Sequence, residues 1–215
     1  TGSAAMVELA FRLDGRADAG RLLVMLHGYA STERDIATIA PTIDPHNRFL
    51  VLCPRGPITV AGGGASWYDF DESWRADPGS FAAALTALDA LVDDICTRFG
   101  VDRHGTVVGG FSQGAGVAAW LAYATPERSR PAGLWCCGTI VQVDDLPLDL
   151  GTARGTRVLI LAGRHDPNVS LQRSRDQAFR LSSAGAIVAV SEHDGGHSLS
   201  NAMLNDFAAW LCEFP

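Results

Sequence analysis

Seven apolar runs recur along the chain: VELAFRL at 7–13, RLLVML at 21–26, FLVLC at 49–53, TVVGG at 106–110, GLWCC at 133–137, RVLILA at 157–162 and AIVAV at 186–190. Most are continuous and do not alternate with polar residues, which is how a strand reads when a parallel sheet is covered on both faces. Helical periods separate them. Over 80–99, Phe81, Leu85, Leu88, Leu91 or Val92, Ile95 and Phe99 keep a 3.6-residue spacing. Over 200–212, Met203, Leu204, Phe207, Trp210 and Leu211 do the same. The segment 113–124 is apolar all round and predicts a buried helix, and 170–183 predicts a weaker amphipathic one. Strands alternating with helices imply an α/β fold with a mainly parallel sheet and helices on both faces.

One connection breaks this rhythm. Residues 54–78, PRGPITVAGGGASWYDFDESWRADP, carry few periodic signals, and structureless loops beyond roughly 15 residues are uncommon. Trp67, Tyr68, Phe70 and Trp74 are too many aromatics for a flexible linker. The segment is predicted to be ordered and to wall a substrate pocket; the alternative is a loop folded back to cap the core.

Composition then narrows the choices. A length of 215 residues suits one well-buried domain, expected over 6–215, and 47% hydrophobic against 19% charged residues argues for a folded chain. Thr1–Ala5, ahead of Met6, read as an expression-tag remnant. The net charge is −7 and basic residues do not cluster, which argues against nucleic acid or anionic membrane as partners. No apolar stretch approaches the roughly 20 residues that span a bilayer, so stable membrane insertion is not expected. All 17 basic residues are arginine, which excludes a Schiff-base lysine, a lysine-bound pyridoxal cofactor, a P-loop and a Ser-Lys dyad. With abundant Ala and Gly, that bias suggests a GC-rich bacterial source. Cys53, Cys96, Cys136, Cys137 and Cys212 are odd in number and form no CxxC; they are expected to be buried free thiols, which suits a reducing, cytoplasmic compartment.

The chemistry concentrates at GGFSQGAG, 109–116, directly after the apolar TVV. Gly110-Phe111-Ser112-Gln113-Gly114 is G-x-S-x-G, the pattern of a sharp strand-to-helix turn. Such a turn exposes a serine hydroxyl at the carboxyl end of a sheet, beside the N–H groups of a helix N-terminus. A serine hydroxyl needs a base, and the base needs an acid to orient it. In this type of fold the acid and histidine follow the serine in that order. Asp166 follows RVLILA within GRHDPN, and His197 follows AIVAV within EHDGGHS, where Gly195-Gly196 lets the loop bend back. Ser112, Asp166 and His197 are therefore the candidate triad. Asp144, Asp145 and Asp149 are the competing acids. His193, close to its strand end, is expected at the surface, His165 is expected to point elsewhere, and His27, ahead of the serine, is expected to have a structural, hydrogen-bonded role. The segment Leu26-His27-Gly28-Tyr29-Ala30-Ser31 follows an early strand and is expected to supply an oxyanion N–H at Tyr29, the other coming from Gln113. The side chains of Tyr29, Trp67 and Tyr68 are the candidate substrate contacts.

These motifs resemble those of the phospholipase/carboxylesterase family of α/β-hydrolases, which includes acyl-protein thioesterases and small bacterial esterases. From residue 20 onward, LHGYAS is similar to its early HG motif, CPRGP with GGGASWYDF to its proline-rich stretch and W-(F/Y)-D motif, and GFSQGAGVA to its nucleophile motif. GRHDPNVS and GGHS are similar to its acid and histidine motifs. The resemblance implies Ser112, Asp166 and His197 as catalytic residues and no metal or organic cofactor. Three positions depart from the family: Ala30 stands where glycine is usual, Ala115 replaces a second glycine, and Ser170 replaces a proline. Alanine at 30 is strained if the backbone there needs a positive φ. The gap 139–156, holding QVDDLPLDL, is too short for a separate cap domain, so an open site is expected, suited to short- to medium-chain acyl groups or an acyl group on a bulky partner. The expected activity is hydrolysis of carboxylic esters or thioesters, possible lysophospholipids included, through an acyl-enzyme. The alternatives are acyl transfer from the same intermediate and a non-catalytic ligand-binding α/β-hydrolase.

Overall fold

The computed structural model describes residues 8–72, 75–123, 130–139 and 153–214. Seven strands form one sheet in the order β1-β3-β2-β6-β7-β8-β9. They are β1 (Phe11–Gly15), β2 (Leu22–Leu26), β3 (Leu50–Pro54), β6 (Val107–Phe111), β7 (Gly133–Cys137), β8 (Arg157–Gly163) and β9 (Ile187–His193). Every pairing is parallel except that of β1 with β3. All parallel strands therefore end at the same edge, where the loops that follow β2, β6, β8 and β9 converge.

The continuous apolar runs map onto the central strands, because these are covered on both sides. Every residue of β2, β3 and β7 is buried. One face packs against α3 (Pro78–Phe99), α4 (Gln113–Tyr123) and α5 (Leu171–Ser183). The other packs against α1 (Glu33–Ala37), α2 (Ala40–Ile43) and α6 (Asn201–Leu211). The run AIVAV differs. As β9 it lies at the sheet edge, and Ile187 and Val190 are exposed. The first run is displaced: the strand begins at Phe11, and Leu9 is buried ahead of it.

Helices α1 and α2 have five and four residues, too few to show an apolar period. A local signal for α1 exists in Thr32 and Asp35, which form a reciprocal capping box. Asp77 and Ser200 cap α3 and α6, and Ser170, the departure from the usual proline, caps α5 through the Arg173 N–H. The segment 54–78 contains a small antiparallel hairpin, β4 (Ile58–Thr59) with β5 (Ala65–Ser66), and a bridge from Phe70 to Ala76. Ser73 and Trp74 lie outside the described residues, as do Thr1–Ala5, Asp144, Asp145 and Asp149. Cys53, Cys96, Cys136 and Cys137 are buried, but Cys212 is exposed, because it closes α6 on the side away from the core. Among the described residues no helix is long and apolar enough to cross a membrane.

Candidate active site

Ser112 lies between β6 and α4 with φ of 56°. Its N–H donates to the Cys137 carbonyl at 2.7 Å, and its own carbonyl accepts from the Ala115 N–H at 3.1 Å. That fixes a strained residue from both sides. The flanking glycines are needed for approach: a Cβ on Gly110 would stand 2.6 Å from the Leu26 carbonyl oxygen, and one on Gly114 2.5 Å from that of His27. The end of β2 is thereby held against the first turn of α4.

Asp166 and His197 arrive from the loops after β8 and β9. The Asp166 side chain is only 4% exposed. Its Oδ1 accepts the N–H groups of Asn168 and Val169 at 2.8 and 2.9 Å. Its Oδ2 lies 2.7 Å from His197 Nδ1, and His197 Nε2 lies 2.8 Å from Ser112 Oγ. A carboxylate only accepts, so Nδ1 carries the proton and Nε2 presents its lone pair to the serine hydroxyl. The three side chains thus form one hydrogen-bonded line. The other histidines stand apart from it. His193 Nε2 pairs with Asp206 at 2.9 Å near the surface, and His165 is exposed.

His27 is fully buried. Its Nδ1–H donates to the Gly28 carbonyl at 2.7 Å, and its Nε2 accepts the Gly56 N–H at 2.9 Å. Both contacts require the neutral ring, and burial lowers its pKa. The Gly28–Tyr29 peptide is planar, so fixing the Gly28 oxygen also fixes the direction of the Tyr29 N–H. Downstream, the Ser31 N–H donates to the Gly28 carbonyl at 3.2 Å, and Ala30 has φ of 61°. A turn with its third residue left-handed favours glycine there, so alanine at 30 does sit in the strained region. It is held by its N–H donating to the Ala65 carbonyl at 2.9 Å and by the Ala65 N–H donating to the Ser31 carbonyl at 2.8 Å. The hairpin of the long connection thus buttresses this loop.

A pocket of about 560 Å³ opens over Ser112, lined by Tyr29, Tyr68, Phe70, Phe111, Gln113, Pro167, Asn168 and His197. Tyr29 and Tyr68 both pack edge-on against Phe70, with centroids 5.1 and 5.5 Å away. Burial pushes the Tyr68 phenol up to about 12, so it stays neutral. Trp67 is the correction. It is wholly buried and absent from the lining, because its indole turns inward and donates to the His27 carbonyl at 2.9 Å. Phe70, one of the aromatics of the segment expected to wall the pocket, does line it, whereas three lining residues were missed in sequence: Phe111, whose ring centroid lies 4.8 Å from that of His197, Pro167 and Asn168. Phe111 is the variable position inside G-x-S-x-G, and Pro167 and Asn168 directly follow the acid, so proximity to the motifs was their only signal. Among the described residues, no group of three or more His, Cys, Asp or Glu side chains is placed to hold a metal ion.

A mostly parallel sheet carrying serine, acid and histidine past its strands in that order is the architecture of an α/β-hydrolase. The profile of the Phospholipase/Carboxylesterase family matches residues 13–213, and the chain belongs to that family. It is an enzyme, a hydrolase of that family. It is 25% identical to MhqD of Bacillus subtilis (strain 168) over 195 residues, 89% of this chain and 92% of that one. The Bacillus cereus carboxylesterase superposes with a TM-score of 0.83 at 23% identity, covering 99% of this chain and 96% of that one. The Mesorhizobium loti carboxylesterase does so with a TM-score of 0.80 at 22% identity, covering 98% and 97%. At these identities the superpositions speak for the fold.

Proposed function

We propose that the protein hydrolyses uncharged carboxylic esters with short to medium acyl chains by a serine mechanism. The observation that carries the reading is the unbroken line from Asp166 through His197 to Ser112, at 2.7 and 2.8 Å. Ser112 Oγ attacks the ester carbonyl carbon while its proton passes to His197 Nε2. Asp166 holds the ring and stabilises its charged form. The carbonyl oxygen, now an oxyanion, is taken up by the N–H groups of Tyr29 and Gln113. As the first residue of α4, Gln113 has no intrahelical acceptor for its N–H. One such donor is typically worth about 3 kcal/mol in the transition state. Collapse of the tetrahedral adduct expels the alcohol, which takes the proton from His197. Water then attacks the acyl-serine, giving a proton to His197; the second adduct collapses as His197 returns that proton to Ser112 Oγ, and the acid leaves.

The lining supports the substrate class. Tyr29, Tyr68, Phe70, Phe111 and Pro167 supply apolar surface, and the polar groups beside them are Ser112, Gln113, Asn168 and His197. No arginine, aspartate or glutamate lines the pocket among the described residues, so a charged acyl or leaving group would be desolvated without a counter-ion. A pocket of about 560 Å³ falls within the usual range for small-molecule sites.

The test is intact-protein mass spectrometry after treatment with a fluorophosphonate, together with turnover of p-nitrophenyl esters of graded length. Wild type should gain one adduct and Ser112→Ala none, with turnover lost and the melting temperature retained. Ser112→Ala turning over at the wild-type rate would refute the serine mechanism.

A further inference from the structure

Trp67 is wholly buried, yet it touches both strips of chain that border Ser112. Its indole N–H donates to the His27 carbonyl at 2.9 Å, and its ring lies 5.2 Å from the His27 ring, tilted by 31°. Its main-chain N–H donates to Gln113 Oε1 at 3.0 Å. The Gln113 side chain is also buried, and its Nε2 donates to Ser66 Oγ at 2.9 Å and to the Tyr68 carbonyl at 3.3 Å. One side chain thus bonds the segment that carries the Tyr29 N–H, while its own backbone bonds the residue that carries the Gln113 N–H.

We infer that Trp67, clamped by the Gln113 side chain, is a positioning residue: it is the brace that sets the separation and aim of the two oxyanion donors. This rests on the reading of Ser112 as the nucleophile. The physical reason lies in the two strips themselves. They belong to different strand ends, β2 and β6, whose ladder stops at Leu26 and Gly110. Beyond that point no ladder hydrogen bond joins the two strips, and Trp67 is bonded to both of them. Donors that stabilise an oxyanion act only if pre-aimed, so a small displacement costs rate and leaves ground-state binding intact. Trp67 does not touch the pocket, so it has no direct route to substrate affinity.

The experiment compares Trp67→Phe with Trp135→Phe. Phenylalanine at 67 keeps an aromatic ring against His27 and removes the indole N–H. Trp135 is equally buried, but its indole N–H meets no acceptor among the described residues, so it serves as a matched core substitution. The readouts are kcat and KM for a p-nitrophenyl ester, the melting temperature, and the inhibition constant of an alkyl trifluoromethyl ketone. Ser112 Oγ adds to the carbonyl carbon of that ketone, its proton passes to His197, and the ketone oxygen becomes an alkoxide in the oxyanion site. Trp67→Phe should lower kcat by about tenfold or more with KM within about twofold, and should raise the ketone inhibition constant in parallel. Trp135→Phe should leave all three kinetic values within about twofold, whatever its melting temperature. A Trp67→Phe kcat within twofold of wild type would overturn the inference. So would a fall in kcat without a change in ketone inhibition, since the effect would then lie outside the oxyanion site. If Trp67→Phe does not fold, Gln113→Met removes the clamp and keeps the main-chain N–H at 113; because Gln113 borders the pocket, that variant is read by kcat and the ketone inhibition constant, which should move in parallel, and an unchanged pair would overturn the inference. Turnover in Ser112→Ala would separately sink the serine mechanism.

Discussion

Gly138 follows β7 with φ of +60°, directly beneath the candidate histidine. A Cβ there would stand 2.8 Å from His197 Cε1, 3.0 Å from Nδ1 and 3.4 Å from Asp166 Oδ2. Carbon atoms settle at about 3.5 Å, so in Gly138→Ala the imidazole must withdraw by more than half an ångström. It cannot do so and keep both its 2.7 Å contact to Asp166 and its 2.8 Å contact to Ser112. A displacement of about 1 Å at a reacting group costs on the order of a hundredfold in rate, equivalent to about 2.7 kcal/mol in the barrier. The left-handed backbone adds about 1–2 kcal/mol of strain to the folded state, offset by about half a kcal/mol from the stiffer unfolded chain, lowering the melting temperature by roughly 1–6 °C for a chain of this size. Gly100→Ala separates the two effects. Gly100 has φ of +66°, and a Cβ there meets nothing within 4 Å. It should lose similar stability and no activity. Steady-state kinetics on a p-nitrophenyl ester and thermal melts of both variants decide the matter. A Gly138→Ala kcat within threefold of wild type would refute the reasoning, since His197 would then tolerate the methyl without leaving the line.

Ala30→Gly relieves about 1 kcal/mol of left-handed strain but loosens the unfolded chain by about half as much, so a melting temperature up to about 2 °C higher is expected, with no gain in kcat; a lower melting temperature would refute strain at that position. His27 is neutral in the folded state, its pKa lowered by burial, and it protonates near its ordinary value of about 6.5 when unfolded. The unfolded state therefore binds more protons as pH falls below about 6.5, and His27 removes stability there by at most about 1.4 kcal/mol per pH unit; at higher pH its contribution is flat. Urea melts at pH 7.5, 6.5 and 5.5 should show the difference between wild type and His27→Gln shrinking as the pH falls, and a constant difference would exclude this linkage. Of the five cysteines, Cys212 is exposed, while burial pushes the Cys53 and Cys136 thiols up to about 12, so native protein should consume one equivalent of Ellman's reagent and the Cys212→Ser variant none.

What the sequence made legible follows from the physics of each feature. Strands β2, β3, β6, β7 and β8 are buried on both sides, so apolar content alone marks them. Strand β9 carries the same apolar signature, but its place at the edge depends on strand order, which no local window contains. That Ser112, Asp166 and His197 come together was readable because each follows an apolar strand and sits in a short polar or glycine-rich motif. Trp67 was misplaced for a related reason. It stands beside Tyr68, which does line the pocket, and neighbours in an extended chain point to opposite sides. Aromatic content gave the segment its importance, and only the three-dimensional path showed which ring faces the cavity and which faces His27.

The same contrast explains where the chain breaks its own local rules. Among the described residues three that are not glycine have positive φ: Ala30, Asn47 and Ser112. Asn47 is in a surface turn, where asparagine tolerates that conformation. Ala30 and Ser112 are different, since each is a residue poorly suited to its backbone and each is held there by main-chain bonds from another element. Ser112 is tied to β7 through Cys137, and Ala30 is tied to the hairpin through Ala65. Strain that persists only because its surroundings over-determine it tends to mark function. Here the two strained residues lie on the two strips that carry the candidate oxyanion donors, and Trp67 links those strips. Glycine at 30 would relieve the strain but would let the Tyr29 peptide rock; alanine narrows its conformational range. On this view the departure from the usual glycine exchanges a small amount of stability for a stiffer oxyanion loop.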